Sequence, residues 1–102
     1  MPMVVVATRN VSDRIRGFLA SSMIELAPGV YSAPRLSMRV RAQIWWVLEE
    51  WWLAEADASV VMVWSDPAVP GGQDVAILGA PPIRLVELDG LLVGMRLPRD
   101  ML

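Results

Sequence analysis

The sequence predicts an α/β (α+β) fold: a ferredoxin-like sandwich, with an antiparallel sheet, two helices on one face and an extended C-terminal strand and tail. Three observations predict it. Apolar strand-sized runs alternate with two segments of helical period in the order β-α-β-α-β-β. Turn and cap residues fall between these segments. The 102 residues have room for a single core.

Met3-Val4-Val5-Val6-Ala7-Thr8 is a continuous, mostly β-branched run, the pattern of a buried central strand. Asn10 reads as a helix N-cap, with Asp13 three residues on. A helix from Val11 to Leu26 would then place Val11, Ile15, Phe18, Leu19, Ser22 and Leu26 on one face, and Ala27-Pro28-Gly29 would stop it. Val30 to Ala33 is a short strand. Ser37 reads as the second N-cap, before a helix to about Ala56 with Val40, Ile44, Val47, Trp51 and Ala54 on its core stripe. Ser59 to Trp64 is another buried strand, Asp66 to Gln73 an exposed turn, and Asp74 to Leu78 a strand pairing back. Ala80-Pro81-Pro82 breaks the pattern. Leu85 to Leu88 and Leu91 to Leu97 are extended and apolar, on either side of Asp89-Gly90. The expected division is a ferredoxin-like domain over 1–84 and a partner-docking strand and tail over 85–102.

Hydrophobic residues make up 55% of the chain and mean hydropathy is +0.45. So small a domain cannot bury all of this, so part of the apolar surface is expected to meet a partner. One sheet face would stay uncovered by helices, and pairing of two copies through it would remove that face from water at about 25 cal/mol per Å². A homodimer is therefore expected. No apolar run approaches the roughly 18 residues of a membrane helix, and the N-terminus lacks the charged start of a signal peptide. The expectation is a cytoplasmic protein without membrane contact.

Cysteine, histidine and lysine are absent. This excludes disulfides, cysteine nucleophiles, Ser-His-Asp triads, Schiff-base chemistry and zinc sites built on Cys or His. A carboxylate-based, metal-dependent hydrolase is the obvious enzyme class still open. Glu49-Glu50, Glu55-Asp57 and Glu87-Asp89 are its candidate acids, but none forms a specific motif, and adjacent acids on a helix point apart. No catalytic residue, metal ligand or cofactor is assigned. Mg²⁺ would enter only with a nuclease activity.

The net charge of -2 argues against nucleic acid until its distribution is read. Residues 1–41 hold six arginines against two acids, a net +4, and residues 42–102 hold three arginines against nine acids. This polarity predicts a basic face. Arginine forks onto phosphate oxygens better than lysine does. Arg14 and Arg16 sit near the first helix start, where a cation opposes the helix dipole. On the helical wheel Arg14 neighbours the small residues Gly17 and Ser21, which would let a phosphate backbone approach. Arg35, Arg39 and Arg41 crowd the second helix start, which attracts anions through its free N–H groups. Four of five tryptophans lie in the second helix. Trp46, on the side away from the core stripe, is expected to face a partner.

Met3-Val4-Val5-Val6-Ala7-Thr8, Asn10-Val11 and Arg14-Ile15-Arg16-Gly17 together resemble the type I-E branch of the CRISPR-associated Cas-two family. The likeness continues in order through Gly29-Val30-Tyr31, Ser37, Ile44-Trp45, Val60 to Trp64, Gly79, Val86 to Gly90 and Leu97-Pro98. It is the ordered set that is specific. The resemblance implies a ferredoxin-like homodimer bridging two dimers of the Cas-one integrase, holding a double-stranded DNA prespacer, and serving antiviral defense by spacer acquisition. Transesterification would belong to Cas-one. The resemblance places DNA backbone contacts at Arg14 and Arg16 and in the loop beside Arg84, and Arg39 and Arg41 are further candidates from the charge at the second helix start. It places integrase docking at about Val86 to Pro98, including Glu87, Asp89, Leu91 and Val93.

Two positions depart from that pattern. Arg9 stands where the family often has an acid proposed to hold a nuclease metal, and a cation there would repel Mg²⁺. Pro82 and Ile83 stand where the branch can carry an arginine pair, leaving Arg84 beside them. The chain is therefore expected to be a structural subunit rather than a catalyst. The alternatives are a metal-dependent endonuclease, acting on RNA or DNA, and a toxin-like RNase or RNA-binding module on the same fold.

Overall fold

The computed structural model describes residues 1–79 and 83–96. In chain order these form β1 (Val4–Arg9), α1 (Asp13–Ser22), β2 (Ile24–Ala27), β3 (Val30–Ala33), α2 (Met38–Trp52), β4 (Ser59–Ser65), a 3-10 turn at Pro70–Gly72, β5 (Gln73–Leu78), β6 (Ile83–Leu88) and β7 (Leu91–Arg96). The main sheet has the order β2-β3-β1-β4-β5, every pair antiparallel. Its first six elements follow the βαββαβ plan of ferredoxin-like folds, and β5 extends the β4 edge. The α+β class is as the sequence predicts.

Strand β2 corrects the first helix. Helical periodicity carries that helix to Leu26, but α1 ends at Ser22. Met23 turns to extended backbone at φ −140° and ψ 173°, while its N–H still donates to the Leu19 carbonyl at 2.8 Å. The Ser21 and Ser22 hydroxyls donate back to the Phe18 carbonyl at 2.7 and 3.0 Å, a local competition that weakens helix continuation. Ile24 then pairs with Ser32 and Glu25 with Tyr31, with a bulge before Ala27. Leu26, expected on a core stripe, is 65% exposed on this edge strand. Pro28-Gly29 closes the β2–β3 hairpin. Gly29 has φ +81°, and its carbonyl accepts from the Thr8 N–H at 2.7 Å.

The helix starts also differ in detail. The N-cap of α1 is Ser12, not Asn10. Asn10 takes a left-handed φ of 58° and donates from Nδ2 to the Asp57 carbonyl at 2.8 Å. Ser37 caps α2 as predicted, its Oγ accepting from the Val40 N–H at 3.2 Å. The sheet-facing stripe of α2 is turned from the predicted one. Ile44 and Leu48 are buried, whereas Val40 and Ala54 are exposed.

One face of the sheet carries the core. Val4 and Val6, Tyr31 and Ala33, and Val60 and Met62 pack with Ile15 and Leu19 of α1 and Ile44 and Leu48 of α2. Both helices therefore lie on the same face. Alternate residues turn the other way. Ile24, Ser32, Val5, Val63 and Val75 form one row across that second face, and Val30, Ala7, Val61 and Ile77 another. These range from half-buried to exposed.

Beyond Gly79 the expected extended strand and tail is, over its described part, a hairpin. Leu88 pairs with Leu91 and Ile83 with Arg96 in a separate two-stranded sheet. Asp89 and Gly90, at φ 51° and 80°, make the two-residue turn whose paired positive φ values suit the strand twist. The boundary expected between 84 and 85 falls within β6. No helix among the described residues is long and apolar enough to cross a membrane.

Candidate nucleic-acid interface

The sheet register decides where the arginines go. Helix α1 starts from the C-terminal end of β1, beyond Arg9. Helix α2 starts from the opposite end, where Ala33 pairs with Val4 and the Leu36 N–H donates to the Pro2 carbonyl at 3.1 Å. Strand β1 spans about 20 Å at the usual rise. The arginines of residues 1–41 thus divide into two groups, one at each helix start, at opposite ends of the sheet.

At the α1 end stand Arg9, Arg14 and Arg16, all exposed. The segment after α2 comes back against this end, and acids reach across to it. Glu55 accepts from the Ser12 N–H at 2.6 Å, satisfying the amide of the N-cap residue itself, while the Ser12 hydroxyl makes no capping bond. Asp57 lies 4.0 Å from Arg9. Asp13 lies 3.7 Å from Arg16, with both side chains at least half exposed. Such exposed pairs contribute about 0–1 kcal/mol and exchange readily with another anion. Arg14 is held differently. Its guanidinium carbon lies 3.8 Å from the centroid of the Trp51 ring. Arg16 also lines a shallow groove with Thr8, Asn10, Val11 and Gly29.

Tyr31 lies beneath this end of α1, fully buried. Burial pushes its phenol above the ordinary value, the nearby Glu25 carboxylate adds to the rise, and Arg16 opposes it. Its hydroxyl makes no hydrogen bond to any described residue.

At the α2 end, Arg35 and Arg39 are exposed and Arg41 is half-buried over the Trp64 ring. Sequence reasoning groups Arg41 with solvent-facing arginines and does not find this stack. The cue was its place one turn before Ile44, on the side of α2 that meets the sheet.

Trp46 is 64% exposed on the side of α2 turned from the sheet, and Met38 and Leu53 are also exposed. In the β6–β7 hairpin, Asp89 and Leu91 are exposed. Arg84, Glu87 and Val93 occupy known register positions, but their side chains lie outside the described residues, as do Pro82 and Pro98 altogether. Among the described residues no three acids converge as a metal-holding group. Arg9, where the resemblance implies an acid, closes β1 and has Asp57 within ion-pair distance.

The family model described as CRISPR-associated protein (Cas_Cas2CT1978) matches residues 3–93. The match begins before β1, takes in both helices and the whole main sheet, and reaches into β7. The chain belongs to this CRISPR-associated family and is a Cas-two-like protein.

Proposed function

We propose that the chain is the structural, DNA-binding subunit of a CRISPR spacer-acquisition complex of the type I-E kind. Membership of the family supports a role in CRISPR adaptation. The observation that carries the DNA reading is the exposed pair Arg14 and Arg16 on the first turns of α1. An arginine on a helix exterior, without a buried carboxylate to hold it, is suited to fork onto backbone phosphates. Arg35 and Arg39 would add contacts from the opposite end of the sheet, and Arg84 from the start of the hairpin.

The second sheet face supports a homodimer. Its valine and isoleucine rows lack a helix, and a second copy placed face to face would cover them. The hairpin with Glu87, Asp89, Leu91 and Val93, and Trp46 on α2, would then meet the Cas-one integrase. Transesterification would remain with that partner.

The test is a complex of the full chain with Cas-one on a short DNA duplex, followed by binding across a salt series. Arg14→Ala combined with Arg16→Ala is expected to weaken binding and lower the salt slope by roughly 0.9 for each phosphate no longer neutralised. An unchanged affinity and slope would remove α1 from the interface. Mg²⁺-dependent cleavage by the purified chain, abolished by removing one acid, would overturn the non-catalytic assignment.

A further inference from the structure

We propose that Trp51 is a positioning residue, holding the Arg14 guanidinium ready for a backbone phosphate. The inference rests on the reading of α1 as a DNA-binding surface and says how one contact there is set. Three observations lead to it. The Arg14 guanidinium carbon lies 3.8 Å from the Trp51 ring centroid, so the cation stacks on the indole face. The indole is itself fixed. It is part-buried against the core, and the Phe18 ring meets it edge-on at 5.3 Å and 67°. Third, the other two arginines at this end each have a carboxylate within ion-pair distance, Arg9 with Asp57 and Arg16 with Asp13. Among the described residues no such carboxylate meets Arg14.

The chemistry of the guanidinium makes this arrangement useful. Its flat face is satisfied by the ring, while its N–H groups radiate in the plane and remain free for two phosphate oxygens. An arginine loose on a helix surface loses rotamer freedom when it binds, whereas a stacked one has already lost part of it. Trp51 and Phe18 together form the platform, one from each helix. Trp51 need not touch DNA, and its contribution passes through Arg14.

The test uses the full chain in complex with Cas-one, titrated against a fluorescein-labelled DNA duplex at fixed salt. Wild type, Arg14→Ala, Trp51→Leu, Trp51→Phe and the Arg14→Ala, Trp51→Leu double variant are compared. Trp51→Leu is expected to weaken binding about two- to five-fold, the scale of an exposed cation–π contact, with Trp51→Phe in between. In the Arg14→Ala background Trp51→Leu is expected to add nothing. In the free chain the Arg14 δ-protons are expected to show an upfield ring-current shift that Trp51→Leu abolishes and Trp51→Phe keeps. Equal losses from Trp51→Leu with and without Arg14, or no ring-current shift in wild type, would overturn the positioning role. Should Trp51→Leu not fold, Trp51→Phe carries the comparison, its smaller loss confined to the chain that keeps Arg14. A ring-current shift combined with wild-type binding by Arg14→Ala would show that the DNA reading of α1 is what fails.

Discussion

The guanidinium carbon of Arg41 lies 4.1 Å from the centroid of the Trp64 ring, joining the first turn of α2 to the far end of β4. Trp64 shares the core-facing side of its strand with Val60 and Met62, so the arginine closes the core at this end. Arg41→Ala is expected to destabilise the fold by about 1 kcal/mol, because it removes both the stacking and the cover given by the aliphatic stem. Arg41→Lys is expected to recover little, because an ammonium cannot stack as a planar group does. Urea unfolding of the three proteins checks this.

The glycines separate backbone strain from close contact. A Cβ at Gly79, φ +103°, would lie 2.9 Å from the Ala58 carbonyl oxygen, and one at Gly29, φ +81°, 3.0 Å from that of Thr8. Gly72 has φ +71° but open space around it. Gly72→Ala is expected to cost about 1–2 kcal/mol from strain alone, and Gly29→Ala and Gly79→Ala more than that. Gly17, inside α1 with nothing near, should behave oppositely, Gly17→Ala gaining about 0.5–1 kcal/mol. Thermal melts rank the four.

The two N-caps predict unequal effects. Ser37→Ala removes the hydroxyl that accepts from Val40 and is expected to cost about 1 kcal/mol. Ser12 makes no such side-chain bond, so Ser12→Ala should cost less. Glu55→Ala, removing the carboxylate that accepts from the Ser12 N–H, should cost more than Ser12→Ala. Denaturation midpoints of the three variants check the order.

Tyr31 gives a pH prediction. Its phenol is raised in the fold, chiefly by burial and then by Glu25, so the folded chain disfavours the phenolate. The protein is therefore expected to hold this stability below the ordinary tyrosine value of about 10 and to lose it as pH rises above that. Tyr31→Phe is expected to flatten the alkaline loss. At neutral pH it should cost little, since the hydroxyl it removes has no partner among the described residues. Stability measured from pH 7 to 11 for both proteins tests the sign.

Much of the fold is legible in the sequence. The valine run of β1, the Ser37 cap and the β4 run show their elements through local chemistry alone. Strand β2 was not legible, because Met23 and Leu26 continue the apolar period of α1. The two serines before Met23 were the available signal. The β6–β7 hairpin was half legible: Asp89-Gly90 is a strong turn pair, although the sequence does not show which strand each side would join. At the candidate site, the arginines were visible one by one, but not what each one meets.

The sequence by itself determined the inventory: nine arginines as the cations, no cysteine, histidine or lysine, a helix-strand order that admits few folds, and a family-wide likeness. Only the tertiary structure decided the arrangement. Register placed the two arginine groups at opposite ends of β1. The return of the chain after α2 brought Asp57 to Arg9, and helix packing brought Trp51 under Arg14. Charge and period are local properties that a sequence carries residue by residue. A stack between residues 14 and 51 is long-range, and it exists only once both helices lie on one sheet face.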